Sequence, residues 1–184
     1  MKKFLCLILA VCLSLGLAAC GDKDIDKNSF ESAKEYVDGV KSEREQKEVK
    51  EREQFESNKK TINEEVSVSE CTLKLKEYSI VDSTIFDNTK CIAISFDFTN
   101  NSGTEKHFAD IIYEYSFPVL TLYQDGVKLN CTSSKLSKDA GTIIKSGATI
   151  EVVEVFALQN ETSNIEVELK HYDREISSCI IKLN

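Results

Sequence analysis

Ile92-Ala93-Ile94-Ser95-Phe96-Asp97-Phe98-Thr99-Asn100-Asn101-Ser102-Gly103 decides the fold. Ile92, Ile94, Phe96 and Phe98 fall on one phase of a two-residue period, and Ala93, Ser95 and Asp97 on the other. Successive side chains of a strand point to opposite faces, so the run predicts a strand, closed by a turn at Asn100-Asn101-Ser102-Gly103. The same period sets Cys71, Leu73 and Leu75 against Thr72, Lys74 and Lys76. Further strands are predicted at 112–124, 127–132, 149–158, 164–171 and 176–183. Gln124-Asp125-Gly126 and Lys145-Ser146-Gly147 are the turns between them, and Asp125-Gly126 is the strongest hairpin signal in the chain. Pro118 cannot donate to a ladder, so it marks an edge, a bulge or a break within 112–124. About seven short strands with turn punctuation predict an all-β fold, an antiparallel β-sandwich over residues 66–184.

Upstream the composition changes. Residues 21–65 hold ten Lys/Arg and fourteen Asp/Glu with few aliphatics. Ser32-x-x-Glu35 reads as a capping box, and Phe30, Ala33, Val37 and Val40 mark one helical stripe that then vanishes. Glu43–Lys47, Glu48–Arg52 and Glu56–Lys60 are i, i+4 pairs worth about 0.2–0.5 kcal/mol each. Val49, Phe55 and Ile62 are too sparse for a coiled coil. Residues 20–65 are therefore expected to form a charged tether, helical in part or disordered. Asp22, Asp24 and Asp26 begin like a calcium loop, but Lys27 and Ala33 stand where Gly and Glu are needed.

At the amino terminus, Lys2 and Lys3 precede an apolar stretch, Phe4 to Leu15, too short to span a bilayer. Leu17-Ala18-Ala19-Cys20-Gly21 follows. That order of basic, apolar and small-residue segments resembles the lipobox of bacterial lipoproteins. The resemblance implies a signal peptide over 1–19, diacylglyceryl modification of Cys20, and a protein lipid-anchored at the cell membrane and facing the extracellular side. The Lys-, Asn-, Ile- and Glu-rich composition suits a low-GC Gram-positive source.

A second resemblance rests on Ile94–Ser102, then Leu122-Tyr123-Gln124-Asp125-Gly126-Val127, Ile144-Lys145-Ser146-Gly147-Ala148 and Val155-Phe156-Ala157-Leu158. This order is similar to the immunoglobulin-like domain of unknown function found on Gram-positive surface lipoproteins. Ser146 stands where that family usually has Pro. The resemblance implies an immunoglobulin-like sandwich and transfers no catalytic residue.

Four cysteines, Cys71, Cys91, Cys131 and Cys179, remain beyond the leader and Cys20. Immunoglobulin order would set the first and last strands side by side, and on that order the expected pair is Cys71–Cys179, with Cys91–Cys131 weaker. Four free thiols is the alternative left open. Cys-x-x-Cys is absent, which argues against a redox role.

The net charge is −8, and removal of residues 1–19 takes two lysines with it. That balance argues against nucleic acid as a partner. Two histidines, His107 and His171, fall short of a zinc site, and no Gly-x-Ser-x-Gly or Gly-rich phosphate loop occurs. No catalytic residue, metal ligand or cofactor is predicted, and the chain is not expected to be an enzyme. Tyr113, Tyr115, Phe117 and Tyr123 sit at period 2 and read first as a strand face. The stretch from His107 to Tyr115 is long for a hairpin loop, and long loops on rigid scaffolds carry binding. His107, Phe108, Asp110, Tyr113 and Tyr115 are therefore the candidate binding loop. The expectation is a membrane-anchored interaction module with a protein or cell-envelope partner. The alternative is an accessory lipoprotein modulating a membrane transporter, sensor or assembly complex.

Overall fold

The computed structural model describes residues 27–85, 88–113, 118–132, 134, 136–137, 139–172 and 175–183, with side chains from residue 32 onward. Cys20, the lipobox and Tyr115 lie outside the described residues. The chain divides into two units, Met1–Ser42 and Glu43–Asn184. In the first, residues 27–42 belong to helix α1 (Lys27–Ser57), and Tyr36, Val37 and Val40 are exposed on it. No helix among the described residues is long and apolar enough to cross a membrane.

The second unit is a β-sandwich. Its strands are β1 (Lys60–Val68), β2 (Cys71–Asp82), β3 (Lys90–Asn100), β4 (Lys106–His107), β5 (Val119–Gln124), β6 (Val127–Lys128), β7 (Ile143–Ile144), β8 (Thr149–Ala157), β9 (Ile165–His171) and β10 (Glu175–Ile181), with a short helix α2 (Phe108–Ile112) after β4. One sheet runs β1-β2-β3-β8, the other β10-β9-β5-β6, and β4 pairs with β7. Every pairing is antiparallel. The alternation in β3 works as expected: Ile92, Ile94, Phe96 and Phe98 are fully buried between the sheets. Full burial of each such side chain contributes roughly 1.5–3 kcal/mol. In β2 the register shifts between Leu75 and Glu77, which moves the inward phase from Leu73 and Leu75 to Tyr78.

Three expectations need correction. The sandwich does not begin at residue 66. β1 starts at Lys60, inside the predicted tether. A register shift between Thr61 and Glu64, with Asn63 at φ 60°, breaks the two-residue period that would have announced the strand. Nor are residues 43–57 a free spacer. They lie on the outer face of the first sheet, where Phe55 is 5% exposed among Val81, Cys91, Ala93, Val153 and Val155. Polar contacts fix the same segment. Gln54 Oε1 accepts from Asp82 N at 2.8 Å, Ser79 Oγ donates to Gln54 O at 3.0 Å, and Lys50 Nζ lies 2.7 Å from Asp82 Oδ2. Finally, 112–124 is not one strand. α2 ends at Ile112 and β5 starts at Val119, directly after Pro118, so the proline marks a break.

Two buried amides hold the turns of this scaffold. Asn100 is fully buried. Its Nδ2 donates to Thr104 O and Ile144 O, both at 2.8 Å, and its Oδ1 accepts from Ser102 N and Oγ. Gln124, also fully buried, accepts from Gln159 N and Asn160 N and donates to Asn160 O and Ser163 O. Asp125 and Gly126 have φ of 51° and 76°, the positive pair that a two-residue hairpin of type I′ requires.

Candidate functional site

The chain after β6 changes sheets. Leu129 N donates to Leu122 O of the second sheet at 2.8 Å. Two residues later, Cys131 bridges to Phe156 of β8, and Thr132 N donates to Val155 O at 2.7 Å in the first sheet. That crossing parts the chain from β5 and opens a cleft of about 240 Å³. Leu120, Leu122, Leu129 and Phe156 form its apolar floor, Ile112 and Tyr113 stand at the end of α2, and Lys128 and Cys131 complete the wall.

Behind the wall lies a buried carboxylate. Glu154 shares the inward phase of β8 with Val152 and Phe156 and is 2% exposed. Its Oε2 accepts from Ser137 Oγ at 3.0 Å and from Cys131 Sγ at 3.5 Å. Burial raises its carboxyl above the usual range against the pull of those two hydrogen bonds. Burial, with Glu154 alongside, pushes the Cys131 thiol up to about 12, so it stays protonated and donates. The Tyr113 hydroxyl lies within hydrogen-bond reach of that thiol.

The predicted binding loop is therefore mostly scaffold. His107 ends β4, and its Nδ1 lies 2.9 Å from Gly141 O, where it donates. Asp110 caps the helix, its Oδ2 accepting from His107 N at 3.2 Å. Phe108 is fully buried, with ring centroids 5.6 Å from Phe96 and 5.5 Å from Phe98, so it meets no ligand. The two-residue β4 followed at once by α2 packs the stretch that reads as a loop. Tyr113 alone of the described members, 50% exposed, reaches the cleft.

The expected disulfides are absent: Cys71, Cys91, Cys131 and Cys179 are free. The strand of the first sheet that meets β10 is β1, not β2, with Ser67 N donating to Ser177 Oγ at 3.0 Å. Cys179 faces Glu64, whose charge adds to burial in pushing that thiol up to about 11. Glu64 pairs with Leu75, four residues along β2 from Cys71, a separation of about 13 Å and far beyond a disulfide's span. Cys91 points the other way from Cys131, outward beneath Phe55. Burial raises all four thiols, which makes them poor nucleophiles.

Residues 42–171 match the family described as Domain of unknown function (DUF5067). The chain belongs to that family. The match opens at residue 42, so the DUF5067 domain includes the helical segment that lies on the first sheet. No curated protein matches the chain. Among solved structures, the chain is similar to a Bacillus subtilis protein described as a "putative lipoprotein (ycdA)", at 15% identity and TM-score 0.49. That likeness covers 64% of this chain but 38% of the other. An uncharacterised β-sandwich protein from Clostridium difficile aligns at 12% identity and TM-score 0.46, covering 66% of this chain and 92% of its own. A conserved hypothetical protein from Bacillus anthracis aligns at 12% identity and TM-score 0.43, over 66% and 95%.

The motifs behind the sequence resemblance turn out to be architectural. Asn100 ties a turn and Asp125-Gly126 makes a hairpin, so they mark the fold of the DUF5067 domain and no chemistry. Sequence reasoning missed Glu154 and read Cys131 only as a disulfide candidate. The signal was available in Val152-Val153-Glu154-Val155-Phe156, a lone charge inside an apolar run.

Proposed function

We propose that this chain is a membrane-anchored extracellular lipoprotein, held through Cys20, whose DUF5067 sandwich is a non-catalytic interaction module that meets a protein partner at the α2–β5 cleft. The observation that carries the reading is the cleft itself, an apolar concavity with a half-exposed tyrosine at its mouth. At about 240 Å³ it falls below the usual range for small-molecule pockets, which suits a partner's side chain better than a cofactor. The lipobox supports the anchor. The protonated thiols argue against a cysteine-based enzyme.

The test is photo-crosslinking in cells from a photoreactive residue at Tyr113, compared with one at Ile176, exposed on β10, in chains with Cys20 or Cys20→Ser. The expected result is one dominant protein adduct from position 113 that disappears without Cys20. Adducts from position 176 alone would move the contact surface off the cleft. Equal adducts with Cys20→Ser would remove the role of the anchor.

A further inference from the structure

A carboxylate that is 2% exposed is an expensive group to keep in a sandwich core, where a charge is ordinarily paired or replaced. Glu154 has hydroxyl and thiol donors and, among the described residues, no lysine, arginine or histidine paired with it. It also sits in a particular place. Cys131 is both its hydrogen-bond donor and a wall of the cleft, and Phe156, two residues along the same strand face, is part of the cleft floor. One thiol therefore separates an apolar slot from a buried acid that has no cationic partner among the described residues.

These facts specify an occupant. The slot offers aliphatic and aromatic contact from Leu120, Leu122 and Phe156, and the Glu154 carboxyl lies behind Cys131, hydrogen-bonded to its thiol. Lysine has that form, a flexible methylene stem that packs on apolar surface and a compact ammonium with three donors. Arginine fits less well, because its planar fork needs two acceptor oxygens presented side by side, and Glu154 already uses Oε2 for two neutral donors. Lys128 on the rim is a cation already engaged in an interaction of its own.

We propose that the cleft receives a lysine side chain of the protein partner, its stem against Leu120, Leu122 and Phe156 and its ammonium donating to Glu154 Oε2 in place of the Cys131 thiol, which rotates aside. No bond is made or broken beyond exchange of one hydrogen-bond donor for another. The inference rests on the cleft being the contact surface and adds the chemistry it selects. Tyr113, at the mouth, would lie along the incoming stem.

The experiment uses the full chain in nanodiscs, methyl-labelled at leucine, titrated with Nα-acetyl-lysine N-methylamide and separately with its norleucine counterpart, which keeps the stem and lacks the ammonium. The expected result is saturable shifts at Leu120, Leu122 and Leu129, with the lysine probe binding at least tenfold tighter. Glu154→Gln should reduce that preference to near unity, its folding being checked by an unchanged leucine spectrum elsewhere. Tyr113→Ala, at an exposed position, should weaken both probes alike and serves if the Gln variant misfolds. Equal binding of the two probes, or a preference that survives Glu154→Gln, would overturn the lysine inference and leave the cleft as the contact surface. No shift at the cleft leucines with either probe would overturn both.

Discussion

The two sheets of the sandwich share a core and differ on their outer faces. The outer face of β3 and β8 is covered by residues 43–57 of α1, through Phe55, together with Leu136. That is why Cys91 and Ala93, small residues on the phase facing away from the core, are inaccessible. The outer face of β9 and β10 carries Glu166, Glu168 and Lys170 beside Ser178, and Ile176 and Ile180 are 61% and 54% exposed. A strand buried on both faces reads as a continuous apolar run, and one buried on a single face alternates. Val152–Phe156 against Ile165–His171 is that contrast within one molecule. The difference teaches that the helical segment is the third layer of the domain, and that β8 and β3 were composed to receive it.

The sharpest way to break the comparison is to empty the covered face. Phe55→Ala removes the one large apolar anchor from the helical segment and should cost about 3 kcal/mol, at the lower end for buried aromatics because the site lies near the edge of the domain. Urea denaturation gives the number, and hydrogen exchange localises it, with residues 43–57 losing protection first. A loss below about 1 kcal/mol would mean that the helical segment rests on the sheet without stabilising it.

Next in size is Glu51, the acid within that covered face. It is 2% exposed, with Oε1 accepting from Ser134 Oγ at 2.9 Å and Oε2 buried without a hydrogen-bond partner among the described residues. Burial, aided by Glu48, raises its carboxyl pKa. A raised folded-state value means the folded chain holds the proton more tightly, so this group's contribution declines as pH rises from the unfolded value near 4.3 through the folded one. Glu51→Gln should therefore stabilise by about 1 kcal/mol at pH 7 and flatten that part of the stability–pH curve. Thermal melts of both chains from pH 4 to 8 decide it. Parallel curves would show that Glu51 does not titrate with folding.

How much of this was legible follows from which signals are local. The strands, the Asp125-Gly126 hairpin and the inward phase of β3 could be read because each depends on neighbours in sequence. The third layer left a trace in Val152–Phe156, but the segment that covers it has no stripe to answer. Its apolar residues are Phe55 and a mostly exposed Val49, and its remaining contacts are made by Gln54, Lys50 and Glu51, which any solvated helix could carry. The cleft left still less. It exists because Leu129 and Cys131 bond to different sheets, and a change of sheet alters no periodicity over two residues. The binding-loop reading failed at Phe108 for a related reason, since a five-residue helix is too short to show a period.

A smaller effect separates electrostatic from apolar fixation of the covered face. Hydrogen bonds from Lys50, Lys90 and Gln54 hold the Asp82 carboxyl well below the usual range. A depressed value gives stability that is complete above the unfolded value near 3.9 and fades as pH falls through the folded one. The pair is solvent-accessible and screened, so Asp82→Asn should cost less than about 1 kcal/mol at pH 7, and the difference from the parent should shrink in 0.5 M salt. A loss that ignores salt would assign the effect to the Gln54 hydrogen bonds instead.

The smallest expected effect concerns the other face. Ile176→Ser with Ile180→Ser removes two side chains that already stand in water, and exposed substitutions usually stay within about 0.5 kcal/mol. Serine also matches Ser178, which lies between them on the same strand phase, so the ladder with Lys170, Glu168 and Glu166 is preserved. The doubly substituted chain should melt with its parent and keep any crosslink made from Tyr113. If it melts where expected but loses that crosslink, the open face takes part in the interaction and the cleft is one end of a larger surface. If it melts much earlier, something covers β10 as residues 43–57 cover β3, and the contrast between the two faces would not hold for the protein in solution.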